Sequence, residues 1–527
     1  MKKKANVSYF FCFIIAIIPF LIGLYSIILG QDTNWDLLNY HLYNPYAYQH
    51  GRINFDLAPA GLQTYFNPTL DLLYFSIIGI FNPKWVGFLI GTIQGVSFVI
   101  VYKIAKQILG EGREGYAIFL GIAGLLSVGF LSEVGTTFFD SVVGVLKLTA
   151  LWLTILAIGY TGGDQRKSLI LIGISGLMVG VACGLKLVFA IYALALFLGL
   201  FFVPVSWRLK FKLAILFGLF ASAGMLSISG YWFYKMWSEF GNPLFPQFNN
   251  IFHGELAKFE PIRDIRFLPQ NLYEKIFYPI VFTSNPLRVG ELRYEQVSWV
   301  FGFVALLALG GAALFQSIKI NQDRRLSPQA IFFVFYFGIS YVLWLNIFGI
   351  YRYLIPLEVL IPLLIFIAID FFFKPSVPRW TAVVFLSMIT LFNLKGVPDW
   401  GRSGWADQVY RVEPSAMTTS SKPAAIYLVG QPIAWIIPAL QIDVPFIQLA
   451  PNMPVTDAYW QRAKDIVDGR EGKQFVIFES SMPDLVTSGN IGLGKLGFAL
   501  NISSCDRLVG FIGTTRYEYR FCEVKKY

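Results

Sequence analysis

The sequence predicts a mainly α-helical, polytopic membrane protein with a small α/β domain outside the bilayer, and three observations predict it. Of 527 residues, 56% are hydrophobic and only 14% are charged, with a mean hydropathy of +0.58. Soluble domains carry about 25% charged residues, so this chain lacks the charge to coat a water-soluble surface of its size. Apolar runs of spanning length recur through residues 1–395, whereas residues 396–527 have a soluble composition. A soluble enzyme, a disordered scaffold and a disulfide-knotted secreted module are thereby excluded. The 17% aromatic content suits a chain that meets the bilayer interface many times.

Met1-Lys2-Lys3-Lys4 precedes an apolar run from Tyr9 to Leu29. The pattern resembles a signal peptide, but the run is about 20 residues, long enough to span. A polar, aromatic-rich loop follows from Gly30 to Pro68. Residues 69–81 are too short to cross comfortably and read as a re-entrant or interfacial helix. Further spans are expected near 84–106, 115–132, 139–160, 167–182, 185–203, 211–234, 296–318, 328–349, 353–373 and 379–395, giving eleven with the first.

The net charge of +10 does not point to nucleic acid, because most Lys and Arg sit in short clusters between apolar runs. With the N-terminus inside, the inside connections carry Lys103/Lys106/Arg113, Arg166/Lys167, Arg208/Lys210/Lys212, Lys319/Arg324/Arg325 and Lys374/Arg379. Every basic cluster then falls on one face, as the positive-inside rule requires. Counting 69–81 as a full span would spoil this agreement. Residues 30–83, 235–295 and everything after about 396 share the outer face of a bacterial inner membrane.

In the tail, Ala425–Gly430 and Gln474–Glu479 read as buried strands, and Tyr517–Val524 as a closing strand. Residues 456–467 have helix-start chemistry and helical period. Residues 1–395 and 396–527 thus form the two expected domains. Cys12 and Cys183 lie in apolar runs and act as small hydrophobes. Cys505 and Cys522 lie in the tail, where an oxidising compartment permits a bridge.

Ionisable groups near or within spans cost several kcal/mol unless paired or wet, so each is a site candidate. Asp36 and Tyr40, four apart, share one face if the first outer loop is helical there. Asp32 adds a carboxylate just after the first span, although Asp32-Thr33-Asn34 could instead cap a helix starting near Trp35. Glu133 and Asp140 flank an outer turn, where they could pair with a cation, hold a divalent metal such as Mg or Mn, or cap helices. Lys186 and Arg352 lie at outer helix ends, as phosphate-binding groups or as snorkelling anchors. Arg binds phosphate well because its planar fork meets two oxygens at once. Arg288 and Arg293, in the long outer loop, are further candidates, and His41 neighbours the Asp36–Tyr40 face. No His/Cys spacing suggests zinc, and no phosphate-cradling Gly-rich loop of the nucleotide-binding type occurs. Together these groups suit a lipid-linked anionic substrate.

The loop pattern of Asp36, Tyr40 and Gly51 resembles the first outer loop of GT-C glycosyltransferases, the polyprenyl-phosphate-sugar-dependent enzymes that include protein mannosyltransferases and the aminoarabinose transferase of lipid A. Asn67-Pro68-Thr69-Leu70, Gly184-Leu185-Lys186, Gly241-Asn242-Pro243-Leu244-Phe245-Pro246 with Asn249, and Tyr351-Arg352-Tyr353-Leu354-Ile355-Pro356 are similar to further segments of such enzymes. The resemblance implies a GT-C-like bundle with outer juxtamembrane helices. It also implies transfer from a polyprenyl-phosphate sugar to a glycan, lipid or protein acceptor. Asp36 would be the catalytic base. Arg352, with Lys186 or Arg293, would stabilise the departing phosphate in a single inverting displacement. Many members carry a second acid directly after the first; here Leu37 stands there, so either Asp32 substitutes or the second acid is unnecessary.

Three other readings compete. A transporter or flippase for lipid-linked saccharides would place charges at mid-membrane and show two related halves. Here the ionisable groups gather on one face, with Lys147 and Lys235 as exceptions. A membrane glycan polymerase or ligase would use a diphosphate-linked oligosaccharide. A non-catalytic anchor presenting the outer domain would leave the acids of the first loop unexplained.

Overall fold

The computed structural model describes residues 2–315, 325–373, 379–413, 423–480 and 484–526; the topology residues Lys319, Arg324 and Lys374 lie outside them. The chain divides into two compact units. One comprises Met1–Ile28, Gly87–Ile228 and Asp264–Trp400, and the other Leu29–Val86, Ser229–Arg263 and Gly401–Tyr527. The outer-loop residues 29–86 and 229–263 therefore fold in one unit with the C-terminal residues.

The first unit is helical. Among the described residues, five helices are long and apolar enough to cross a membrane: Pro83–Leu109, Asp140–Tyr160, Gln165–Leu185, Trp207–Phe240 and Pro328–Ile347. A bent pair, Tyr351–Glu358 with Ile361–Phe372, turns by 45° and makes a sixth if it is one span. The first expected span lies in the helix Lys2–Leu29 and the others in shorter helices, and eleven crossings are not established by length and composition. Two neighbouring helices meet through glycines: a Cβ on Gly176 or Gly180 would strike the backbone of Phe217 or Ala221, and one on Gly224 that of Leu177. Small residues permit this close backbone approach where lipid gives no hydrophobic drive for helix association.

Two interruptions position the candidate site. The expected span 115–132 is broken into Glu114–Leu125 and Val128–Glu133, because the buried Glu358 carboxylate accepts the Gly129 N–H at 3.0 Å and holds the second helix start apart. Pro356 lies in the first turn of the helix Ile355–Glu358 and Pro362 in the first turn of Ile361–Phe372, where a missing N–H costs no intrahelical bond. Tyr351 donates to Glu358 at 2.7 Å, and the buried Lys147 donates to the Pro356 carbonyl at 2.8 Å. These bonds occupy backbone groups and side chains that irregular structure at membrane depth would otherwise leave unmatched.

The second unit is built on a six-stranded mixed sheet: β1 (Tyr410–Glu413), β2 (Pro423–Val429), β3 (Phe446–Gln448), β4 (Lys473–Glu479), β5 (Phe498–Ile512) and β6 (Thr515–Lys526). The order is β1-β5-β6-β4-β2-β3. β2 runs parallel to both β3 and β4, while β1, β5 and β6 make antiparallel ladders. The expected strands fall on β2, β4 and β6, with Gly430 just beyond β2, and the helix Asp457–Val467 fills the expected helical segment after its cap Thr456. The apolar runs of β2 and β4 are buried, as suits strands covered on both faces, whereas β6 mixes buried and exposed residues. Cys505 and Cys522 sit opposite each other on β5 and β6 and are joined in a disulfide. Buried Arg52 ties the first loop to this sheet: it pairs with Asp56 at 2.8 Å, and Asp56 in turn accepts the Phe446 N–H at 2.8 Å.

Candidate functional site

The first-loop residues occupy the second unit. Asp32 lies in a two-residue antiparallel ladder with Arg402 and accepts from the Asn34 backbone at 3.1 Å and its side chain at 2.6 Å. Asn34 is the helix cap, since its side-chain oxygen accepts the Leu37 N–H at 2.8 Å. Asp32 therefore steadies the cap. Leu37–His41 forms a π-helical turn, a wide turn often found at functional sites. Asp36 opens that turn without capping it, and the Tyr40 hydroxyl donates to its carboxylate at 3.3 Å, so the two do share a face. Asp36 is half-buried, which leaves an acid both positioned and reachable.

His41 is buried, its Nδ1 2.6 Å from Asp71 Oδ1, and its ring lies 4.1 Å from that of Tyr40. Asp71 escaped the sequence reading. Its signal was that of a lone acid in the first turn of the apolar helix Thr69–Ile78. At ten residues this helix is about 15 Å long, half the bilayer core. Asn67 caps it by accepting the Thr69 N–H at 3.0 Å.

Glu133, Asp140, Lys186 and Arg352 come together in the first unit. Lys186 donates to the Asp140 carboxylate and, at 2.8 Å, to the Phe138 carbonyl. Arg352 Nη1 is 3.8 Å from the other Asp140 oxygen, a charge contact longer than a hydrogen bond. The Arg352 guanidinium lies over the Phe138 ring, 3.8 Å from its centroid, with the Trp400 ring at 5.5 Å. Phe138 meets Trp400 edge-on at 5.0 Å. A left-handed Phe139 (φ 60°), unusual for a bulky residue, makes the tight entry into the helix beginning at Asp140. Gln94 fixes the turn by donating to the Glu133 carbonyl at 2.8 Å and accepting the Gly135 N–H at 2.7 Å.

One Glu133 oxygen accepts from the Ser141 backbone at 3.1 Å and its hydroxyl at 2.6 Å. Burial, and then the neighbouring Asp140 carboxylate, push the Glu133 acid up from its ordinary range; Ser141, Arg352 and Lys186 oppose that shift. Among the described residues, Glu133 Oε1, Asp140 Oδ2 and Trp400 Nε1 are buried without hydrogen-bond partners. Such groups cost free energy unless something pairs with them. The cluster thus combines two cations, a planar aromatic wall and polar atoms of both senses.

Arg288 is engaged elsewhere: it donates to Glu274 at 2.7 Å and to the Leu268 carbonyl at 3.2 Å, tying the long loop together. Arg293 is exposed beside buried Tyr294. The Gly241–Pro246 segment is a structural turn, with Phe245 packed on Tyr65 and Phe240, and Asn249 donating to the Gly254 and Ala257 carbonyls. No group of three His, Cys, Asp or Glu side chains that could hold a metal gathers among the described residues. Phe138, Trp400 and Gln94 were invisible as site residues, since apolar and amide side chains in apolar runs carry no signal of their own.

No family model and no curated protein matches the sequence. Solved structures do match. An ArnT from Cupriavidus metallidurans bound to undecaprenyl phosphate is 12% identical, with each chain covered to 98% and a TM-score of 0.52. The oligosaccharyltransferase of Archaeoglobus fulgidus, in complex with Zn and sulfate, is 11% identical over 92% of this chain and 70% of that one, with a TM-score of 0.53. Its apo form is 12% identical over 89% and 70%, with a TM-score of 0.52. The chain shares the GT-C fold of these proteins.

Proposed function

We propose that this protein is an integral-membrane glycosyltransferase of the bacterial inner membrane. It would move a sugar from a polyprenyl-phosphate donor to an envelope glycan, lipid or protein acceptor on the outer face. The observation that carries the reading is the half-buried cations Lys186 and Arg352 gathered on buried Asp140, on a fold also found in an ArnT bound to undecaprenyl phosphate. The disulfide between Cys505 and Cys522 supports an oxidising compartment for the C-terminal residues.

The acceptor hydroxyl attacks the anomeric carbon and the bond from that carbon to the phosphate oxygen breaks, inverting its configuration. Asp36 takes the acceptor proton, a role that needs a carboxylate within hydrogen-bond reach of it. Arg352 and Lys186 stabilise the phosphate as its charge grows, when positioned cations act most. Glu133 and Asp140 are the acids that would hold a divalent ion if one is used. Asp140 is already paired to Lys186 and no third ligand joins them among the described residues, so no step runs through a metal.

The test uses the full chain in proteoliposomes with a radiolabelled polyprenyl-phosphate monosaccharide and an envelope extract as acceptor. Transfer by the wild type, with a loss of orders of magnitude in Asp36→Asn, is expected. Near-wild-type transfer in that variant would remove Asp36 from the mechanism. Use of a diphosphate-linked oligosaccharide instead would favour a polymerase or ligase, and movement of donor across the bilayer without transfer a flippase.

A further inference from the structure

The second unit contains a cavity of about 770 Å³ in which Phe75, Ile78 and Phe81 face Asp407, Tyr410 and Arg411. Its apolar wall is the end of the helix Thr69–Ile78 and the turn after it, immediately before Pro83 starts a 27-residue helix long and apolar enough to cross a membrane. Chain continuity therefore places residues 79–85 at the depth where that helix enters the bilayer. Ile80, Phe81 and Trp85 agree: they are 77%, 56% and 61% exposed, and such a patch is costly in water but suited to the headgroup boundary.

The polar wall is β1, the outermost strand of the six-stranded sheet, with the residues just before it. Arg411 is exposed and its guanidinium rests on the Phe511 ring, 4.1 Å from the centroid, which fixes the charge at this edge. Asp407 is exposed too, and among the described residues these two are the charged side chains that line the cavity. Their signs are opposite. Arg suits a phosphate, which its fork can meet bidentately, and a carboxylate suits an ammonium group. A rim of both signs above an apolar wall at headgroup depth matches a zwitterionic amphiphile.

We propose that this cavity is a binding site for an outer-leaflet phospholipid with a phosphoethanolamine headgroup. The phosphate meets Arg411, the amine meets Asp407, and the acyl chains lie against Phe75, Ile78 and Phe81. The site is independent of sugar transfer, because occupancy is read directly.

The full chain is placed in nanodiscs with either phosphatidylethanolamine or phosphatidylglycerol carrying a diazirine near the acyl carbonyl, irradiated, and mapped by mass spectrometry. The ethanolamine probe is expected to label residues 75–81 and 407–412 at least fivefold more than the glycerol probe. Arg411→Glu, a surface change, and Ala439→Trp, which fills the cavity from a third side, should each reduce that labelling at least fivefold. Labelling at lipid-facing Leu219 and Leu226 should stay constant and report intact insertion. Equal labelling by the two probes, or labelling that neither variant changes, would overturn the proposal.

Discussion

The guanidinium of Arg352 lies 3.8 Å from the centre of the Phe138 ring, while one of its nitrogens stays 3.8 Å from Asp140. The ring holds the plane of the cation and the carboxylate biases its charge without closing on it. A flat, delocalised cation can do both; an ammonium cannot. Arg352→Lys is therefore expected to keep insertion and folding but lose about tenfold to a hundredfold in transfer from the prenyl-phosphate donor, the cost of roughly one charge-assisted hydrogen bond. Steady-state kinetics with a fixed acceptor would check it, and unchanged rates would return Arg352 to the status of a membrane anchor.

Phe138→Leu should act through Arg352. A ring under a guanidinium contributes about 0.5–2 kcal/mol, so donor KM is expected to rise roughly twofold to thirtyfold. Combining it with Arg352→Lys should cost less than the two separate losses added, because both remove the same contact. Strict additivity would break the link.

Trp400→Phe keeps an aromatic face near Arg352 and removes part of the indole ring with its buried N–H, which has no partner among the described residues. If the donor's oxygens accept that N–H, transfer falls about twofold to tenfold while thermal stability holds or rises. Lower stability with unchanged transfer would assign the N–H to folding.

Glu133→Gln tests the raised acid. A folded-state acid shifted upward binds its proton more tightly than the unfolded chain does. Stability is then full below the ordinary carboxyl range and declines as pH rises toward the shifted value. The amide oxygen can still accept from Ser141, so the variant should match the wild type in acid and exceed it in alkali. Thermal unfolding from about pH 3 to about pH 9 in detergent reads this, starting below the ordinary carboxyl value. Parallel curves would contradict it.

Replacing Cys505 and Cys522 with Ala opens a loop of sequence separation 17 and should destabilise the sheet by about 3 kcal/mol. Limited proteolysis of the C-terminal residues would show earlier cleavage. Arg288→Ala should likewise loosen the long loop, through Glu274 and Leu268, without changing donor KM.

Composition, apolar run length and basic clustering were enough to identify a many-helix membrane protein with a sheet domain at its C-terminus, because transfer free energy and strand patterning are local. The acids and cations also stood out one by one, since charge beside a span is costly wherever it lies. Which of them meet was not local. Asp140 reaches Lys186 across 46 positions, and Arg352 is turned toward Asp140 by a span that breaks near Pro356 and Pro362. Arg288, a lesser candidate in the sequence, is held by Glu274. Asp71 gained meaning only from contact with His41, and Phe138 and Trp400 only from lying against a guanidinium. The sequence by itself determined where charge and apolar surface lie along the chain. Tertiary structure alone decided which charges neutralise each other and which keep unmatched atoms, because pairing depends on distance through space and a chain folded at two breaks sets those distances.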